Sequence, residues 1–97
     1  MTITSKQRAY LRSISNDLET IFQIGKGGIT DEICAQLSNA LEAHELIKAR
    51  TLDNCPHTSK EAANQIAGQI NAAVVSVVGS RFVLYRESKK KKDKIKI

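Results

Sequence analysis

Ninety-seven residues, 41% of them apolar and 15 basic against 10 acidic, suffice for one domain with a single modest core and a net charge of +5. No apolar run is long enough to cross a membrane, and the N-terminal MTITSKQRAY has no apolar leader segment. The two cysteines, Cys34 and Cys55, form no CxxC pair, so a cytoplasmic protein with reduced thiols is expected, and the binding of a membrane is not.

Thr4-Ser5-Lys6-Gln7 reads as a capping box that opens a first helix. Leu11, Ile14 and Leu18 follow at helical spacing, Lys6, Arg8 and Arg12 fall largely off that stripe, and the helix is expected to end near Ser15-Asn16. Residues 20–24, TIFQI, are β-branched and aromatic and form a first strand that runs straight into Gly25. Thr30 caps a second helix, with Asp31 and Glu32 in its first turn, where the helix dipole favours them. Ile33, Leu37, Ala40, Leu41 and His44 are its apolar stripe, and His44 is read as a packing or capping residue.

Residues 46–52 alternate as a second strand, with Ile47, Ala49 and Thr51 on one face and Leu46, Lys48, Arg50 and Leu52 on the other. Asp53-Asn54-Cys55-Pro56 is a loop, and Thr58 with Glu61 makes a second capping box before a helix whose stripe is Ala63, Ile66, Ala67 and Ile70. Residues 73–78 are almost continuously apolar, which places them at the centre of the sheet. Gly79-Ser80 is a two-residue hairpin loop of the glycine-first type, and residues 81–86 return antiparallel. The order α-β-α-β-α-β-β predicts an α+β fold of two layers, a small four-stranded mixed sheet with helices packed on it.

Three of the five glycines fall in QIGKGGIT, residues 23–30, between a strand and a helix N-terminus. Unsatisfied amides at such a place, the absence of Cβ atoms and the point charge of Lys26 together suit a phosphate. The nucleotide-binding patterns do not fit: no Gly-Lys-Ser or Gly-Lys-Thr follows a glycine five positions earlier, and Gly25-x-Gly27 does not continue as GxGxxG. What remains is a G-x-x-G, Gly25 to Gly28, of the kind KH domains use to clamp a nucleic-acid backbone. Residue chemistry alone leaves two readings open: a phosphate seat, or a tight turn that needs positive φ, for which Gly27 is the expected position.

SKQRAYLR before the first strand, QIGKGGIT after it, ALEAHELIKAR at the end of the second helix and VLYR on the last strand occur together and in this order. Together they resemble the CRM domain family (chloroplast RNA splicing and ribosome maturation), in particular its stand-alone bacterial YhbY-type members, over residues 4–87. The resemblance implies a fold like the C-terminal domain of translation initiation factor three. It also implies RNA binding through Gly25, Lys26, Gly27 and Gly28, and association with precursors of the large ribosomal subunit. Lys6, Arg8, Arg12 and Lys26 match the family's basic positions, and Lys48 and Arg50 are the cations available on the sheet side. The family commonly places Arg directly after the hairpin glycine. Here Ser80 stands there and Arg81 follows, a one-residue shift that turns a side chain to the other face, so Arg81 is left out of the expected contacts.

Residues 1–86 hold nine basic and eight acidic side chains, whereas residues 87–97, ESKKKKDKIKI, hold six lysines against Glu87 and Asp93. The division expected is an RNA-binding domain at 1–87 and a basic flexible tail at 88–97, whose deletion leaves the melting temperature unchanged. Tyr10 and Tyr85 are expected at the edge of the core, so recognition should rest on backbone and shape. The leading expectation is a monomeric RNA-binding protein of the cytoplasm that assists ribosome assembly, with no catalytic residue, metal or cofactor. The alternative is a protein-interaction adaptor that uses the open face of the sheet.

Overall fold

Two reciprocal capping boxes open helices where the sequence places them. The computed structural model describes residues 2–90 and 94–97, so Met1, Lys91, Lys92 and Asp93, three of them in the charged tail, lie outside the described residues. At helix α1 (Ser5–Ser15) the Gln7 amide donates to Thr4 Oγ1 at 3.1 Å, and the Thr4 amide donates to Gln7 Oε1 at 2.9 Å. At α3 (Ser59–Ile70) Thr58 and Glu61 exchange the same pair of bonds at 3.2 and 2.9 Å. Each box satisfies two amides that a helix N-terminus otherwise leaves orphaned. Helix α2 (Asp31–His44) is capped by Thr30, as expected.

The strands are β1 (Thr20–Ile24), β2 (Leu46–Thr51), β3 (Ala73–Val78) and β4 (Arg81–Tyr85), in the sheet order β1-β2-β4-β3. Strands β1 and β2 are parallel, and β4 runs antiparallel between β2 and β3. Strand β3 is therefore an edge strand, contrary to the central place its apolar run suggests. The run has another cause: α1 packs on one face of β3 and α3 on the other, so both of its faces are covered without a second strand neighbour. Gly79 turns the hairpin at φ +60°, and Val78 pairs with Arg81 across it.

Helices α2 and α3 form the expected helical layer over Ile24, Ile47, Ala49, Phe82 and Leu84. Helix α1 lies on the opposite face, where Leu11 packs with Leu46, Val83 and Tyr85. The alternation along β2 is as read, with Ile47 and Ala49 in one core and Leu46 in the other. Helix α1 thus adds a partial third layer. The sheet has no wholly open face for an adaptor to use.

The end of the chain is held more firmly than its charge suggests. Ser88 and Glu45 are fully buried. The Ser88 amide donates to Glu45 Oε2 at 2.7 Å, the Ile95 amide donates to Glu45 Oε1 at 2.6 Å, and the Ser88 hydroxyl donates to the Glu42 carbonyl at 2.6 Å. Ile95 packs against the core under α1. The boundary drawn at residue 87 from charge therefore does not mark where packing ends. Arg86 ties the same region together, donating to the Ser38 and Ile70 carbonyls at 2.8 Å each and pairing with Glu42 at 3.2 Å.

Two carboxyls titrate low in this arrangement. Donation by the Thr58 amide, then by its hydroxyl, holds Glu61 below the ordinary glutamate value. Burial pulls Glu42 upward, but the Ser88 hydroxyl, the Lys89 amide and the Arg86 charge outweigh it and leave Glu42 lowered. A carboxyl whose folded value is depressed stabilises the fold above its unfolded value and ceases to do so as pH falls through the folded one. Thermal stability is therefore expected to be level near neutrality and to fall as pH drops below about 4.3. Glu61→Gln should flatten part of that fall in a series of melts from pH 7 to pH 3. An equally steep acid limb in the variant would remove the box carboxylate from the explanation.

Candidate nucleic-acid interface

The glycine segment is a single reverse turn at the end of β1. The Gly28 amide donates to the Gly25 carbonyl at 3.0 Å, which leaves Lys26 and Gly27 exposed at the tip. The turn is backed by residues 52–57. A Cβ on Gly25 would stand 3.4 Å from Asn54 Oδ1 and from Leu52 Cδ1, and one on Gly28 would stand 3.0 Å from Pro56 Cγ. Positive φ falls on Gly28, at +67°, and not on Gly27 as expected. Around Gly27 a Cβ would meet nothing within 4 Å. Folding therefore accounts for Gly28, would leave a Cβ on Gly25 in ordinary contact with its neighbours, and makes no structural demand on the exposed Gly27.

The helix N-terminus beyond the turn is less available than the sequence suggests. Thr30 Oγ1 already accepts the Ile33 amide at 3.1 Å, and the Thr30 carbonyl accepts the Cys34 amide. Asp31 and Glu32 add negative charge there. An anion at this end of the molecule would meet the turn tip and Lys26 rather than the first turn of α2.

The remaining cations gather where α1 stops covering the sheet. Arg50 pairs with Arg81 across β2 and β4 and with Gln23 across β1 and β2, so the three side chains lie in one row on the face that carries α1. Arg12, at the end of α1, lines one groove with Lys48 and Arg81. Among the described residues the ion pairs are Arg86–Glu42 and Lys94–Glu87, so Arg12, Lys26, Lys48, Arg50 and Arg81 all lack a carboxylate partner. Arg50 Nε is also buried without a hydrogen bond. A buried donor in that state calls for an acceptor from elsewhere.

The structure thus groups Arg12, Lys48 and Arg50 and adds Arg81, which the sequence reading set aside. The two-residue hairpin decides Arg81's face, because the pairing of Val78 with Arg81 puts Arg81 opposite Arg50. Arg8 lies further out, its Nε donating to the Val74 carbonyl at 3.3 Å on edge strand β3. Lys6 is exposed in the first turn of α1, beside Gln7, which lies near Tyr85 and Ile97 at the opposite end of the sheet from the groove. Tyr85 is core, whereas Tyr10 is 47% exposed on α1. Among the described residues, no three His, Cys, Asp or Glu side chains cluster as metal ligands, and no helix is long and apolar enough to cross a membrane.

The chain as a whole is similar, in sequence and fold, to known proteins. Along 93% of its length the chain is 41% identical to the "Probable RNA-binding protein YqeI" of Bacillus subtilis, covering 94% of that protein. A protein of Haemophilus influenzae named "RNA-binding protein" is 33% identical over 94% of this chain and 92% of its own. The solution structure of hypothetical protein SAV1595 from Staphylococcus aureus, described as a candidate RNA binder, superposes with a TM-score of 0.78 at 43% identity, covering 94% of this chain and 95% of that one. The model of the CRS1 / YhbY (CRM) domain matches residues 3–86, which take in all three helices, all four strands and the glycine turn, and the chain belongs to that family.

Proposed function

We propose that this protein binds RNA along a basic strip running from the end of α1, across β4 and β2, to the Gly25–Gly28 turn. The observation that carries the reading is the convergence of four unpaired cations, Arg12, Lys48, Arg50 and Arg81, at the part of the sheet that α1 leaves uncovered, next to an exposed glycine tip that carries a fifth, Lys26. Two strand spacings from Arg81 to Gln23, and three residues from there to Lys26, make the strip about 20 Å long. Unpaired cations at such spacing neutralise phosphates and release counterions, which supplies affinity without sequence selection. The named relatives support RNA as the polyanion. The target we assign is ribosomal RNA in precursors of the large subunit, bound by a cytoplasmic monomer that assists assembly by holding RNA rather than by catalysis. An adaptor role is disfavoured, because the uncovered part of the sheet concentrates cations without carboxylate partners.

Titration with a fragment of large-subunit RNA at about 50 and 200 mM salt tests the strip. Lys26→Ala should weaken binding by about 1 kcal/mol, roughly fivefold, and lower the salt slope by about one unit. Joint reversal, Arg12→Glu with Arg81→Glu, should cost more than tenfold and shift the protein off large-subunit precursors in a sucrose gradient. Co-sedimentation like that of the unaltered protein would remove the groove from the interface. Sequencing of RNA crosslinked in cells tests the target itself.

A further inference from the structure

The groove at the end of α1 has features that phosphate binding does not require. It is a cavity of about 270 Å³. Val83, buried, and Val78, 71% exposed, give it an apolar wall at the free end of the hairpin. The uncharged side chains of Asn16 and Ser76 line it as well, and neither makes a hydrogen bond within the described chain. Arg12 and Arg81 contribute planar guanidinium groups. Strand β3 is bulged between Val74 and Ser76, an irregularity that re-aims side chains at a sheet edge.

An apolar wall, a neutral donor–acceptor amide, a hydroxyl and flat cations are the components that receive an unpaired base. The wall takes its face, guanidinium planes stack on it, and Asn and Ser read its edge. The volume lies just under the roughly 300–1,000 Å³ of drug-sized ligand sites, which is room enough for a nucleobase. We infer that this groove takes one unstacked nucleobase of single-stranded RNA while the cations around it hold the adjoining backbone. The inference rests on the RNA-binding reading above and adds a preference for single strands to it.

Fluorescence anisotropy with six-nucleotide oligo(U) and oligo(A), and with a blunt RNA duplex of about 12 base pairs, long enough to stay paired, separates base binding from backbone binding. The uncharged pair Asn16→Ala with Ser76→Ala should weaken binding of the single strands by about fivefold, with the salt slope and duplex binding unchanged. A fully abasic oligonucleotide of the same length should bind the unaltered protein similarly weakly. Val78→Ser, at an exposed site, should act in the same direction and keeps the test valid if the pair lowers stability. Normal single-strand binding by these variants, with Lys26→Ala weakened, overturns the base site and leaves RNA binding standing. Lys26→Ala and the charge reversals binding like the unaltered protein would overturn the RNA strip and this inference with it. Competition by AMP or UMP as effective as by the oligonucleotide makes the ligand a free nucleotide and also overturns the proposal.

Discussion

Removal of residues 88–97 is expected to lower the melting temperature by about 8–16 °C. Charge alone predicts no change, since six lysines read as a solvated terminus. The geometry says otherwise, because Glu45 is fully buried and spends both carboxylate oxygens on amides of this segment, at 2.7 Å to Ser88 and 2.6 Å to Ile95. Glu45 also sits at φ +64°, a conformation that disfavours side chains other than Gly or Asn and persists where surrounding contacts hold it. A buried carboxylate stripped of its donors costs roughly 1–3 kcal/mol, and loss of Ile95 packing adds to it. Taking about 2 kcal/mol, the shift follows from the 4–8 °C per kcal/mol of a domain this size.

Calorimetry on a double-mutant cycle makes the test specific. Glu45→Gln offers one acceptor oxygen and turns an NH₂ group toward an N–H, so it should destabilise the full chain clearly and the truncated chain little. An equal effect in both backgrounds would show that Glu45 does not hold the segment. The lost lysines should also weaken binding to every RNA alike, most at low salt.

What the sequence could and could not announce follows the range of the forces involved. Capping boxes span four residues, and both were legible as Thr4 with Gln7 and Thr58 with Glu61. Alternation in β2 was equally local, and it put Lys48 and Arg50 on the face where they are found. The edge position of β3 was hidden, because an apolar run reports that two faces are buried and not whether strands or helices bury them. Glu45 was hidden because its partners lie 43 and 50 residues away. In AHEL it reads as a surface charge at a helix end. Arg81's role was left open when its place was counted from the hairpin glycine, because one residue of register exchanges the faces; the pairs with Val78 and Arg50 place it on the face of Arg50.

The glycine turn was legible as a whole but not glycine by glycine, and there the substitutions should part ways. Gly28→Ala is expected to destabilise the domain by about 2 kcal/mol, from roughly 1–2 kcal/mol for an L-residue in the left-handed region and the crowding of its Cβ against the rigid Pro56 ring. Gly27→Ala meets neither penalty, since its φ is not positive and its Cβ would point into open space. Stability should stay within about 0.5 kcal/mol of the unaltered chain. If the exposed tip is where a phosphate approaches the backbone, Gly27→Val should nevertheless weaken RNA binding more than Lys26→Ala does, by about tenfold, or 1.4 kcal/mol. The larger effect has a simple origin. A lysine supplies one screened charge at the end of a flexible chain, whereas a branched Cβ holds the phosphate off every amide of the tip at once. Thermal melts and RNA titrations on the same samples decide the matter. A stable Gly27→Val protein that binds normally would reduce the turn to a connection between β1 and α2, and would leave the row of Arg12, Arg50 and Arg81 to bind RNA alone.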